Sequence, residues 1–189
     1  MAKKKSGRVS NIKELNEEIN KILIQALNDK NSVTANVIKE TESDMVEREV
    51  YAKYTPNNGK PWIYEQHRDK GRRGKDGGLA DTRNMEHEAA QISGKIQLKV
   101  LNLTPFNENY NFDNYRPGDT LANLVEGGDK KYGAEYTFKS NRSGDAYKYL
   151  GARPFQQETV KELERNGDHL DALALDLMMK GLTVERKGK

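Results

Sequence analysis

The sequence predicts an α+β fold, in which N-terminal and C-terminal helices pack a small antiparallel β-sheet and long polar loops connect the elements. Three observations predict it. An apolar stripe with helical spacing runs from Ile12 to Leu27, an alternating pattern runs from Lys95 to Leu103, and a second helical stripe follows Arg153-Pro154-Phe155. Because helices and strands are grouped along the chain and do not alternate, the α+β class is favoured.

The N-terminal helices follow from apolar stripes and capping residues. Asn11 can cap a helix over residues 12–27, and Glu14 follows three residues later, as in a capping box. The turn at residues 28–31 leads to Ser32, which can cap a second and weaker helix that extends to about Val46. This second helix is either separate from the first or continuous with it.

The middle of the chain predicts a β-hairpin. Ile96, Leu98 and Val100 alternate with polar residues, which is the pattern of a half-buried strand. Residues 86–92 are the expected partner strand, with Ser93-Gly94 as the turn. We expect a short helix over residues 120–126 and a further strand at residues 136–138.

The closing helix begins at Arg153-Pro154-Phe155, which we interpret as a structural anchor. Proline restricts Arg153 to extended backbone and suits the first helical position, so the chain arrives extended and leaves as a helix. Apolar positions keep i+3/i+4 spacing through Gly167, so we expect one helix, kinked at most, that ends near Gly181. The expected packed face consists of Val160, Leu163, Leu170, Leu173, Ala174, Leu177 and Met178.

The chain divides into one domain and two tails. We expect a flexible basic tail over residues 1–9, a single α+β domain over residues 10–184, and a flexible tail over residues 185–189. Loop excursions are expected at about residues 57–84, 104–119 and 129–149. Loops longer than about 12–15 residues in a compact domain are usually functional or disordered.

The composition favours a protein that works in an assembly. Only 34% of the residues are apolar, 32% are charged, and the mean hydropathy is −0.97. A typical domain is about 45–50% apolar when glycine is counted, so long polar loops or contacts with other subunits are expected here. The net charge of +3 does not require a nucleic-acid partner. There is no cysteine for thiol chemistry, and no apolar run approaches the roughly 20 residues that span a membrane.

We expect no enzyme, because no catalytic, metal-binding or cofactor-binding motif is found. The triplet at residues 67–69 resembles a kinase catalytic loop only superficially, since the other kinase motifs are missing. The glycine-containing stretch at residues 71–75 is not followed by Ser or Thr, which excludes a phosphate-binding loop. Glu86-His87-Glu88 could hold a metal, but neighbouring strand residues point in opposite directions, which favours a surface role.

A basic loop leaves three interpretations open. Its cations are Arg68, Lys70, Arg72, Arg73 and Lys75. They could bind phosphates with a steep salt dependence, contact an acidic protein surface, or simply be solvated. Together with the lysines at residues 3–5, this loop supports an alternative function as a nucleic-acid-binding accessory protein.

Six short motifs follow one another along the chain: Tyr51–Pro56, Tyr64, His67-Arg68, Gly77–Asn84, Leu124–Gly128 and Arg153–Phe155. In this order they resemble a pattern in neck and tail proteins of long-tailed bacteriophages, which include tail-completion, head–tail joining and minor tail proteins. The order of these pieces identifies the family better than any single piece. His67 stands where the family usually has arginine, and residues 57–62, 70–76, 106–119 and 129–149 resemble insertions.

The resemblance implies a structural virion protein without catalysis. Such a protein would form a ring, expected to be a homo-hexamer, that completes the tail or joins it to the head connector. The implied partners are connector, head-closure, tail-tube or tail-terminator proteins, with incidental contact to packaged DNA and no membrane. The implied location is the neck or tail of the virion, and the host cytoplasm during assembly.

The resemblance also suggests which residues lie at a subunit or partner interface. These are Tyr54, Tyr64, Arg68, Arg72, Arg73, Gly77, Gly78, Leu79, Asp81 and Arg83. Glycines allow close approach of the backbone, Leu79 is expected as an exposed anchor, and Asp81 or Arg83 would fix the orientation. The alternative is a self-contained turn that packs Leu79 onto the protein's own sheet.

Overall fold

A computed structural model describes residues 11–52, 78–104, 122–123, 125–126, 137–139, 146–148 and 153–184. The elements in chain order are helices α1 (Ile12–Leu27) and α2 (Val33–Met45), strands β1 (Met85–Ile92), β2 (Lys95–Asn102), β3 (Thr137–Lys139) and β4 (Ala146–Lys148), and helices α3 (Phe155–Asn166) and α4 (Asp168–Met179). The predicted α+β class is confirmed. The tails over residues 1–9 and 185–189 and most of the three loop excursions lie outside the described residues.

The N-terminal helices form where their capping residues predict. The Oδ1 atom of Asn11 accepts a hydrogen bond from the backbone N–H of Glu14 at 2.9 Å, and Ser32 Oγ accepts one from Ala35 at 3.2 Å. A π-helical turn over Val46–Tyr51 continues α2 directly. Both caps satisfy backbone donors that the first turn of a helix leaves unpaired.

The predicted hairpin is also confirmed, with its turn. Strands β1 and β2 pair antiparallel from Met85 opposite Asn102 to Ile92 opposite Lys95. Ser93 has φ 51° and Gly94 has φ 78°, as the favoured two-residue turn between twisted strands requires. Strands β3 and β4 form a second antiparallel pair within residues 129–149, where a loop with one strand was expected.

The prediction of a single closing helix is wrong. Gly167 lies in the left-handed region with φ 75°, so it ends α3, and α4 begins at the next residue. The i+3/i+4 spacing therefore does not continue on one face. Leu163 is buried, but Val160 is 54% exposed, Leu170 is 45% exposed and Met178 is 58% exposed. Because the axis is broken at Gly167, the face that α4 buries is set by packing rather than by continuation of α3.

Helix α2 is the centre of the helical layer. Helices α3 and α4 pack mainly on α2, while α1 packs on α4 and on the hairpin, and α2 also contacts β2. The hydrophobic core cluster of the described residues lies around the C-terminal end of α2. It consists of Met45, Val46, Val50, Leu79, Ala80, Ala122, Val125 and Phe155. This cluster brings together segments that are far apart in the sequence.

Candidate functional site

The turn at Gly78–Asp81, expected at an interface, is buried in the core. Asp81 donates its backbone N–H to the carbonyl of Gly78 at 3.0 Å and so closes the turn. Leu79 is 2% exposed and Ala80 is fully buried. The expectation that Leu79 is an exposed anchor is therefore wrong, because Leu79 packs against the helical core of its own chain.

The backbone of this turn is held by polar side chains from three elements. Ser43 of α2 donates to the carbonyl of Ala80 at 2.7 Å, and Asn102 at the end of β2 donates to the carbonyl of Leu79 at 2.8 Å. The hydroxyl oxygen of Tyr51 accepts the backbone N–H of Leu79 at 3.1 Å. A buried backbone group without a partner would cost about 1–3 kcal/mol, so these bonds fix the turn between α2 and the hairpin.

Asp81 and Arg83 pair with each other. The buried carboxylate of Asp81 accepts the backbone N–H of Arg83 at 2.9 Å and three hydrogen bonds from the Arg83 guanidinium, of which the shortest is 2.6 Å. The Arg83 side chain is 71% exposed, whereas that of Asp81 is 4% exposed. Asp81 therefore caps the following 3₁₀ turn over Thr82–Asn84, while the outer edge of Arg83 remains at the surface.

The other predicted interface residues are placed as follows. Gly78 is half-buried at the start of the turn. Tyr54, Tyr64, Arg68, Arg72, Arg73 and Gly77, together with the whole basic loop, lie outside the described residues. Their role at an interface stays a prediction.

The Arg153-Pro154-Phe155 motif meets the buried turn in the same core. Arg153 donates its backbone N–H to the carbonyl of Val125 at 3.0 Å, and its guanidinium donates to the carbonyl of Val50. Phe155 is fully buried as the first residue of α3, and Pro154 precedes it as the N-cap. The motif thus joins the start of α3 to the end of the π-helical turn.

Glu126 caps α3 from a distant part of the sequence. Its carboxylate accepts the backbone N–H of Gln156 at 2.8 Å and that of Gln157 at 3.3 Å. A negative charge at a helix N-terminus is favourable because the free N–H groups and the helix dipole both point toward it. The sequence singled out the segment around Glu126, but only the structure shows which helix it caps.

Asp176 is a second remote cap, which the sequence did not predict. It lies on α4, is 2% exposed, and accepts hydrogen bonds from Ser32 Oγ, Val33 N, Thr34 N and Thr34 Oγ1 at 2.7–2.9 Å. Burial alone would raise the pKa of Asp176, but the four hydrogen bonds outweigh it and hold the pKa below its usual value. This carboxylate joins α4 to the N-terminus of α2.

Glu42 is another buried carboxylate, but its pKa is shifted upward, opposite to the shift of Asp176. It is 5% exposed and accepts one hydrogen bond, from Asn102 Nδ2 at 3.0 Å. Burial raises the pKa of Glu42, the Asn102 bond lowers it in part, and the negative charge of Glu126 raises it further. Asn102 thus connects α2, the buried turn and the hairpin.

The first half of α1 is exposed along its whole length, including its apolar residues. Every residue from Asn11 to Ile19 is exposed, with Ile12 at 78%, Leu15 at 46% and Ile19 at 38%. These three lie on one face, since they are spaced by three and four residues. The same stripe continues into Ala26 and Leu27, which are buried. We call residues 12–19 the α1 arm.

Helix α4 has a second exposed apolar face. Its buried residues are Ala172 and Asp176, while Leu170, Leu175, Met178 and Met179 are 45–65% exposed. The helix therefore turns a small residue and a carboxylate inward and several large apolar residues outward. Large exposed apolar patches are typical of surfaces that contact another protein.

The described part of the chain contains no group of three His, Asp or Glu residues that could hold a metal ion. His87 lies on β1 with its Nε2 atom 3.1 Å from the carbonyl oxygen of Asp29, and its neighbours Glu86 and Glu88 are exposed. Among the described helices, none is both long and apolar enough to cross a membrane.

Comparison with known proteins identifies a family for this chain. The model of a family described as YomN matches residues 11–179, which is most of the chain. No curated protein and no solved structure matches the sequence.

Proposed function

Because the chain belongs to the YomN family, which is phage-derived, we propose that it is a structural virion protein of the phage neck or tail junction. In this proposal it forms a ring, expected to be a homo-hexamer, that completes the tail or joins it to the head connector. Its partners are neighbouring connector, head-closure, tail-tube or tail-terminator proteins. It is found in the virion, and in the host cytoplasm during assembly.

The observation that carries this proposal is the exposed stripe of the α1 arm. Burying an isoleucine or leucine side chain contributes about 1.5–3 kcal/mol, and Ile12, Leu15 and Ile19 forgo much of this in a single chain. A short helical segment is marginal in water unless packing supports it. A neighbouring subunit that covers the arm would supply this packing.

The buried motifs support the same role. The Gly78–Asp81 turn and Arg153-Pro154-Phe155 hold the core together by packing and hydrogen bonds. Their side chains therefore act as a scaffold that positions the exposed faces of α1 and α4. A ring requires such faces, since each subunit must present different surfaces to its two neighbours. The proposed role includes no catalytic step.

Imaging of phage particles tests this proposal. We expect purified particles to contain the protein at the neck or tail end, in a ring that cryo-electron microscopy can resolve. Particles that lack the protein would contradict the proposal. If the purified protein instead bound DNA with a steep loss of affinity on raising salt, and stayed monomeric or dimeric, the nucleic-acid-binding alternative would be favoured.

A further inference from the structure

The outer edge of β2 has a defined set of free backbone groups. Ile92 and Lys95 flank a two-residue turn, so they form a hydrogen-bonded pair, and hydrogen-bonded pairs alternate with non-bonded pairs along an antiparallel ladder. Ile96, Leu98 and Val100 therefore turn their N–H and C=O groups away from β1. These three residues mark an outer edge that extends over about 14 Å.

The opposite edge of the hairpin confirms this assignment. Ala89 lies opposite Leu98, and its backbone N–H and C=O bond the side chain of Asn28 at 2.7 Å and 2.8 Å. The backbone N–H and C=O of Ala89 thus point away from β2, as they must in a residue of a non-hydrogen-bonded pair. The N–H and C=O of its cross-strand neighbour Leu98 must likewise point away from β1.

The two edges differ in what covers them. The side chain of Asn28 hydrogen-bonds the outward backbone groups of β1 at Ala89. On the other edge, Ile96, Leu98 and Val100 make no hydrogen bond beyond the hairpin within the described ranges. An uncovered strand edge is a template for another strand, which adds main-chain hydrogen bonds and side-chain contacts at alternate positions.

The exposed side chains of β2 determine which kind of partner strand can pair with its free edge. Lys95, Gln97 and Lys99 are exposed on the face opposite to Ile96, Leu98 and Val100, which are half-buried. No ion pair forms on Lys95 or Lys99 in the part of the chain that the structure describes. These two cations lie four residues apart, which is two side-chain repeats of a strand.

A second copy of β2 offers Lys95 and Lys99 no opposite charge, because β2 contains no acidic residue. In antiparallel pairing of two β2 strands, the register that places Ile96 opposite Leu98 also places Lys95 opposite Lys99, and the register that places Leu98 opposite Val100 places Lys99 opposite Lys99. Like charges directly opposite each other are destabilising, so both registers are disfavoured. The register that places Leu98 opposite Leu98 avoids this repulsion but still leaves both lysines without a carboxylate. Acidic side chains at these positions would be stabilising.

We propose that the β2 edge accepts an extended segment of a partner protein that carries acidic side chains opposite Lys95 and Lys99. The segment pairs with the backbone of Ile96, Leu98 and Val100 and extends the hairpin to a three-stranded sheet. This surface goes beyond the neck or tail role and does not depend on it.

Amide hydrogen exchange of the full chain with a designed probe tests the proposal. The probe is a seven-residue peptide of alternating Glu and Val whose amides on one edge are N-methylated, so that it pairs on a single side. The matched control carries Lys in place of Glu. We expect millimolar acidic peptide to slow exchange at Ile96, Leu98 and Val100 at least tenfold, and the control peptide to leave it unchanged.

Two variants keep the test decisive. Leu98→Pro removes an outward N–H while leaving the ladder to β1, and edge strands tolerate proline at such positions. We expect it to weaken peptide binding at least tenfold. If Leu98→Pro does not fold, the double variant Lys95→Glu and Lys99→Glu replaces it, and its preference should invert toward the lysine peptide.

Three results would overturn the proposal. These are no protection by millimolar acidic peptide, equal protection by both peptides, or protection of the three amides in the free protein that increases with its concentration. The last result would assign the edge to a second copy of the chain.

Discussion

The α1 arm and the Gly78–Asp81 turn show opposite relations between sequence and burial. The arm is a regular apolar helix, yet Ile12, Leu15 and Ile19 are exposed. The turn is a short, irregular segment that includes a glycine and an aspartate, yet Leu79, Ala80 and Asp81 are almost completely buried. A local pattern determines which element forms, but packing partners from distant segments determine which side chains are covered.

The largest expected loss of stability comes from a substitution at Phe155, where the Gly78–Asp81 turn and the Arg153-Pro154-Phe155 motif pack together. Phe155→Ala should destabilise the protein by about 3–5 kcal/mol, because it removes a fully buried aromatic ring from the core. Urea unfolding followed by circular dichroism measures the loss. If the variant folds with normal stability but fails to assemble, Phe155 belongs to an interface and the packing described above is wrong.

Replacing one leucine in each region, Leu79 in the turn and Leu15 in the arm, tests the difference in their burial. Leu79→Ala should cost about 2–5 kcal/mol, since Leu79 is 2% exposed in the core. Leu15→Ala in the arm should stay within about 0.5 kcal/mol in the isolated chain, because leucine and alanine are both good helix formers and Leu15 is 46% exposed. Equal losses in urea unfolding would contradict the contrast between the two regions.

Asp176 tests whether a remote polar contact fixes α2. Asp176→Asn should destabilise by about 1–3 kcal/mol at pH 7, because an amide offers one acceptor oxygen to a site with four donors. The folded-state pKa of Asp176 is lowered, so its contribution is fully present above the ordinary aspartate value of about 3.9 and is lost as the pH falls through the lower folded value.

The stability difference between the wild type and Asp176→Asn should therefore shrink as the pH falls below about 4. Urea unfolding of both proteins across this range provides the measurement. A difference that does not change with pH would show that the carboxylate charge plays no part.

Replacing Glu42 should change the stability less than replacing Asp176, and in the opposite direction. Because its folded-state pKa is raised, mainly by burial, the ionised form opposes folding, and this penalty grows as the pH rises from the ordinary glutamate value through the folded pKa. Glu42→Gln keeps an acceptor for Asn102 and carries no charge. We expect it to be at least as stable as the wild type at pH 8, by thermal unfolding, and a clear loss would contradict this account.

The features that could be predicted from the sequence are those set by neighbouring residues. Asn11, Ser32 and the Ser93-Gly94 turn each act within a few residues, and the structure places all of them as predicted. The caps of Glu126 and Asp176 join segments 30 to 144 residues apart, so periodicity gave no sign of them. Only their presence as carboxylates near apolar helical stretches could have suggested such a role.

Gly167 shows why the remaining features could not be predicted. An apolar spacing that continues through a glycine is compatible with one helix or with two, because the left-handed conformation of Gly167 depends on how α4 packs against α2. The exposure of Leu15 and the burial of Leu79 likewise depend on contacts between distant segments.

The most direct test of the central claim is assembly of virions with a matched pair of α1 variants. Leu15→Gln and Glu17→Gln place the same side chain on the apolar and polar faces of the arm, and both residues are exposed. In a phage that lacks its own copy, we predict that Glu17→Gln restores infectious particles, whereas Leu15→Gln folds normally but leaves heads and tails unjoined. Equal restoration by both variants would contradict the claim that the α1 arm is an assembly contact.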